Sequence, residues 1–362
     1  MSDKLRYGYD ELMAERAYAS RLGRGDVLFH GGLDGDGRYI PPRSLHRLDA
    51  IRAWRERLES EGYPSRVVER EQLALEHFPN APQAKLLLRH GAKGAMTRIL
   101  TMIGIVEGFG NAGIRAMPRP ELQPLFADPI EGTCLDHLYT GLLEAHGNDE
   151  AGRAGEAGHD GMWYAIRDAA LEDPEITPDM YENLPFIPPP GYEGRAEPSP
   201  DAMRAAHGGG YEPLFPDLDR GFEILLSGLA QLLLIEHGAY ATFAWAQEVL
   251  SDPAGSASPE WAPFIVSCIQ EDEGIHVDQL DCVLAEVACR TLLDRSGKPV
   301  AGREVVDAVL ERALERQQGS ARQRQNAHRM QEIRDELAAR TDGEAILAEF
   351  AAVGPVPEPP RA

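Results

Sequence analysis

In the run Gln270-Glu271-Asp272-Glu273-Gly274-Ile275-His276, Glu273 and His276 put a carboxylate and an imidazole three residues apart in an otherwise apolar stretch. Residues three apart on a helix share a face, so both ligand groups would project to one side. The same spacing recurs upstream at Glu156-x-x-His159, and isolated Glu107 and Glu236 stand on apolar stripes ahead of each copy. A carboxylate buried alone in an apolar core is costly and would rather protonate; four converging carboxylates need cations. Two divalent metals would balance the four charges, and two neutral imidazoles would complete the ligand set. The chemistry to expect is therefore that of a di-metal site held between four helices.

Glu-x-x-His is weakly informative alone in a chain with 11 histidines. Its weight comes from context and order. The first helical stretch, 85–117, carries Met96, Ile99, Ile103, Glu107, Gly110 and Ile114 on one stripe, with Pro118 and Pro120 closing it. The second, 129–171, reads Leu135, Leu138, Leu142, Ala145, Asp149, Gly152, Glu156, His159, Trp163 and Ile166. Glycines 147, 152, 155, 158 and 161 crowd its middle, and each interior glycine costs about 0.8–1 kcal/mol against alanine. Either this helix needs close backbone approach, or 146–158 is a loop between two shorter helices. A third helix, 220–250, carries Leu229, Leu233, Glu236, Tyr240 and Phe243 on its stripe; a fourth, running to about 293, carries Ile265, Ile269, Glu273, His276 and Leu280. His237 would point about 100° away from Glu236 and suits a supporting role. Glu131 and Glu144 rival Glu107 but belong to the second stretch.

These elements divide the chain into a mixed helix-and-loop extension over 1–85, a helical bundle over 86–295, and a charged helix with a Pro-rich tail over 296–362. Within the bundle, 172–219 is rich in Pro and Gly and reads as a crossover between two helix pairs, a candidate lid or subunit-contact arm. The extension includes an expected helix over 9–22, an amphipathic helix over 48–61, and the turn-rich Gly31–Gly37. In that turn Asp34-x-Asp36-Gly37 suggests a calcium loop, but Leu45 stands where the bidentate Glu would be needed.

A net charge of -23 disfavours nucleic acid and anionic membrane surfaces as partners. No apolar run is expected to span a bilayer. The polar start of the chain does not resemble a signal peptide. Cys134, Cys268, Cys282 and Cys289 form no CxxC pair and read as reduced core thiols. A cytoplasmic protein is expected.

On the pattern Glu107, Glu156-x-x-His159, Glu236, Glu273-x-x-His276, the sequence resembles the ferritin-like, carboxylate-bridged di-iron superfamily over roughly 107–276. That family includes the ribonucleotide reductase small subunit, bacterial multicomponent monooxygenases and acyl-carrier-protein desaturases. The resemblance implies an all-α, ferritin-like four-helix bundle, here with a long crossover and extra terminal helices. It implies Glu156 and Glu273 bridging two metals, Glu107 and Glu236 as terminal ligands, and His159 and His276 on one metal each. Carboxylates with imidazole suit Fe(II) or Mn(II), so two Fe ions or an Mn/Fe pair are expected. Asp272 fits the family's aspartate that hydrogen-bonds a ligand histidine. The first copy has Gly155 at that place, and Asp160 or Asp149 would have to compensate. Trp163 and Tyr240, one turn beyond ligands, would line a pocket or simply pack, and Asp149 would contact a polar substrate or mark a break in the helix.

The implied activity is O2-dependent oxidation of a small organic molecule, with an external electron donor. The competing readings are iron storage or peroxide scavenging, and a helical scaffold whose acids are coincidental. The charged 304–339 helix is a candidate homodimer contact; its Arg312–Arg324 portion is the one dense basic stretch that a carrier-protein substrate would use.

Overall fold

The computed structural model of the chain describes residues 4–69, 73, 76–177, 180, 211–318 and 320–357. Nearly all of the Pro-rich crossover lies outside the described residues. The chain is mostly helical, as expected, but two small antiparallel sheets are added. The N-terminal extension holds α1 (Tyr9–Leu12), strands β1 (Ser20–Arg24), β2 (Val27–Leu33) and β3 (Tyr39–Ile40), then α2 (Arg47–Ser60). The helix expected over 9–22 is thus one turn long and gives way to a strand.

The central helices are α3 (Ala81–Arg89), α4 (Gly94–Ala116), α5 (Leu143–Ala151), α6 (His159–Leu171), α7 (Arg220–Leu250) and α8 (Trp261–Ala288). Asn80 caps α3 reciprocally with Gln83, and the Asp219 carboxylate caps α7 by accepting from Phe222 N–H. The hairpin β4 (Thr291–Leu293) and β5 (Pro299–Ala301) leads into α9 (Gly302–Gln318), α10 (Ser320–Ala338) and α11 (Gly343–Ala352). Helix α7 packs along α8, α4 packs along α5 and α6, and α8 joins the two pairs through α6. Helix α2 lies on α8, α9 on α7, and α10 on α4.

The long helices pass through two apolar cores. One collects Ile114 of α4, Leu143 of α5, Leu225–Leu234 of α7 and Ile275–Ala288 of α8. The other collects Met96–Ile103 of α4, Met162–Ile166 of α6, Phe243–Leu250 of α7 and Ala262–Ile269 of α8. Between them lies a polar layer containing Glu107, His146, Asp149, Glu150, His159, Glu236, Asp272, Glu273 and His276. The apolar stripes of the sequence build both cores, and the interruptions in those stripes fall at one level.

By length and composition alone α7 could cross a bilayer, contrary to the expectation from sequence, but half of its apolar stretch is buried inside the fold. It carries the buried Glu236 and His237 at mid-length and packs along α8 inside the fold.

Candidate metal centre

The second helical stretch does not run unbroken from 129 to 171. Helix α5 ends at Ala151 and α6 begins at His159, so the loop alternative holds. The chain reverses through 152–158, with Arg153 and Glu156 bridged across the turn. Gly152 takes φ 77°, a region that L side chains rarely adopt. A Cβ on Gly158 would lie 2.6 Å from the carbonyl oxygens of Asp149 and Glu150. Glycine at 158 therefore lets the start of α6 press against the end of α5, which returns His159 to the level of Glu150. Strand β2 fixes the turn from outside: His30 N–H donates to Ala157 O at 3.0 Å and Ala157 N–H to Leu28 O at 2.8 Å.

This break changes which side chains meet. Glu156 lies in the turn, a quarter exposed and ion-paired with Arg21 of β1, and takes no part in the buried cluster. Its place is filled by Glu150, which shares a helical face with His146 four residues earlier. Neither was expected. The available signal was the dipeptide Asp149-Glu150, which repeats Asp272-Glu273.

Glu107, His159, Glu236, Glu273 and His276 do converge, joined by His146 and Glu150, as two groups in each of which the ligand atoms lie within 4.8 Å of one another. One group is His146, Glu150, Glu236 and His276; the other is Glu107, Glu150, His159 and Glu273. Glu150 is common to both, its Oε1 lying 3.4 Å from His146 Nε2, 3.5 Å from His159 Nδ1 and 3.3 Å from His276 Nδ1. Glu273 straddles them, Oε1 at 3.0 Å from His159 Nδ1 and Oε2 at 2.7 Å from His276 Nδ1. His146 Nε2 also meets Glu236 Oε1 at 2.9 Å.

Behind the ligands the two aspartates exchange partners. Asp149, which precedes Glu150, accepts from His276 Nε2 at 2.9 Å. Asp272, which precedes Glu273, accepts from His159 Nε2 at 3.2 Å. Each aspartate thus orients the histidine of the other helix and leaves that ring's Nδ1 facing inward. The N-terminal layer holds both. Arg43 pairs with Asp149, and Arg47 Nη2 donates to it at 2.8 Å. Tyr39 O–H donates to Asp272 at 2.8 Å, and His30 Nε2 meets the same oxygen at 3.1 Å.

The remaining predicted residues lie further out. The Asp160 carboxylate accepts from Gly161 N–H and borders α4 at Gly108. His237 is buried 3.8 Å from Asp281, away from the cluster. Trp163 stacks on Phe243 with centroids 5.8 Å apart, wholly inside the second core, and is packing. The Tyr240 hydroxyl lies over Gly274, beside Glu273.

The electrostatics are those of a self-balanced cluster. Burial, then repulsion from Glu150 and Glu273, holds Glu107 well above the usual carboxylate range. Burial, then Glu273 and Glu150, does the same to Glu236. Burial also opposes ionisation of Glu150, but His159, His146 and His276 outweigh it and hold its pKa well below the usual value. Against burial and Glu150, the histidines His159 and His276 bring Glu273 down to about 2. His159 and His276 are raised well above the ordinary imidazole value despite burial, chiefly by Glu273, with Glu150 and the aspartates adding. Burial and the neighbouring His276 push His146 down to about 4.

The donor set fits divalent cations. Glu150 Oε1, Glu273 Oε1 and His159 Nδ1 are buried without a hydrogen-bond partner, and all three face the cluster. A buried polar atom left in this way costs about 1–3 kcal/mol, which a coordinated cation would offset. Comparison of the chain with family models, with curated proteins and with solved structures gives no match.

Proposed function

We propose that the chain is a non-haem di-metal oxidoreductase with a ferritin-like helical plan that uses O2 to oxidise a small organic molecule. The observation that carries this reading is the convergence of four carboxylates and three imidazoles from α4, α5, α6, α7 and α8 in one buried layer. Glu150 and Glu273 would bridge, Glu107 and Glu236 would be terminal, and His159, His146 and His276 would supply nitrogen. Two ferrous ions, or an Mn/Fe pair, suit this mixture. Such a pair supplies O2 reduction when bound, with an external donor returning the electrons.

The protein residues do the rest. Asp149 and Asp272 hold the imidazoles in a metal-ready tautomer, and the two apolar cores exclude water from above and below. Glu107 (11% exposed) is the least enclosed of the cluster side chains and Glu236 (6%) the next, and exposed apolar Val106 and Ile235 stand directly beside them in sequence. A small organic substrate would approach along this side, between α4 and α7.

The test is anaerobic Fe(II) loading followed by O2, with metal stoichiometry, Mössbauer spectra and O2 consumption as readouts. Two irons per chain in a coupled site, and O2 uptake matched by oxidation of an added organic molecule, are expected. A chain that retains no iron overturns the proposal. O2 uptake with growth of a mineral core and no organic product would replace it by iron storage.

A further inference from the structure

We infer that the two halves of this cluster are inequivalent metal positions: one with two imidazoles, His146 and His276, that selects iron, and one with a single imidazole, His159, that accepts manganese. The inference rests on the di-metal reading and goes beyond it.

The asymmetry begins with the donors. The first position offers two imidazoles, His146 Nε2 and His276 Nδ1, with Glu236 and the shared Glu150 and Glu273. The second offers one imidazole, His159 Nδ1, with Glu107, Glu150 and Glu273. Imidazole favours Fe(II) over Mn(II), whereas carboxylate oxygen discriminates less and suits Mn(II). Two nitrogens against one therefore sort the two ions by position.

The groups behind the ligands differ as well. Asp149, behind His276, is held by two guanidinium groups, Arg43 and Arg47, both almost wholly buried. Their charge offsets that of Asp149. Asp272, behind His159, is met by the Tyr39 hydroxyl and His30 instead. Both aspartates come from equivalent places, one residue before Glu150 and Glu273, so the difference is made by the N-terminal layer.

The experiment is full-length protein loaded anaerobically with equimolar Fe(II) and Mn(II), with anomalous diffraction recorded on both sides of the Fe and Mn edges. A severalfold higher Fe:Mn ratio at the His146/His276 position is expected. In His146→Gln the ratio at that position should fall toward that of the His159 position, with metal retained at the latter. Equal ratios at the two positions in the wild type, or the reverse order, overturn the inference while leaving the di-metal proposal standing. Absence of both metals overturns the two together.

Discussion

Helix α8 and the α5–α6 pair bring the same side chains to the buried cluster by different means. In α8 an aspartate, a glutamate and a histidine of the cluster follow one another on a continuous helix. In α5–α6 the same three roles fall to Asp149, Glu150 and His159, but a seven-residue reversal over 152–158 separates glutamate from histidine. A continuous helix fixes its ligands by periodicity alone. The broken pair needs Gly152 and Gly158, and it needs β2 hydrogen-bonded to Ala157. In exchange the break frees a further ligand position, His146, one turn before Glu150. Ligand geometry in such a layer is therefore a property of where chain segments meet, and Glu-x-x-His spacing is one solution among several.

The sharpest way to break this comparison is at Glu150. Glu150→Ala should abolish metal retention at both positions, as Glu273→Ala should, when metal content is measured after iron loading; a variant that keeps both metals would unseat Glu150 as the shared ligand.

Next in size is the turn. Gly158→Ala places a methyl against two carbonyl oxygens and should lower the unfolding free energy by about 1–3 kcal/mol, read from denaturant titration. It should also loosen metal at His159 more than at His276, whereas Gly274→Ala in the continuous helix should leave the two positions alike.

A pH series on protein stripped of metal separates protons from cations as the balancing charge. His159 and His276 are held above their ordinary value of 6.5, so their contribution to stability is complete below that pH and is lost as pH rises through the raised value. Glu107 and Glu236, raised above 4.5, act with the same sign. Tm of the stripped protein should therefore fall as pH rises above 6.5. The Tm gain on adding Fe(II) should grow over the same range, because binding displaces those protons. A stripped protein whose Tm is flat between pH 6.5 and 9 would contradict this charge balance.

The smallest effect is expected at Glu156. Glu156→Ala removes only a partly exposed ion pair with Arg21 and should change stability by about 0.5 kcal/mol or less, with metal content intact.

The α7–α8 half of the site was legible from sequence because Glu236, Glu273 and His276 interrupt stripes that stay helical throughout. Glu107 was legible for the same reason. The other half was not, because the stripe that places Glu156 inward assumes 3.6 residues per turn across glycines that in fact reverse the chain. His159 lies in the cluster although Glu156 does not: α6 resumes at His159 with a new phase. The partners of Asp149 and Asp272 could not be read at all. Tyr39 and Asp272 are separated by 233 residues, and Arg43 and Asp149 by 106, and no local pattern encodes contacts of that range. The N-terminal strands were not expected, β1 beginning inside the helix expected over 9–22 and β2 ending in the Gly31–Gly37 turn, because β1–β3 are short and interrupted by Gly23, Gly25, Gly31 and Gly32. Their register depends on the α5–α6 turn that they clamp.

The N-terminal layer carries a consequence for the order of events during synthesis. Residues 20–47 leave the ribosome early, and the carboxylates they hold arrive more than a hundred and more than two hundred residues later. The ligands themselves extend from Glu107 to His276. No part of the nascent chain short of α8 can assemble either ligand group whole, since Glu273 and His276 complete them. On the di-metal proposal, cation capture is therefore a late event. The donors of the N-terminal layer are thus made before the acceptors they meet.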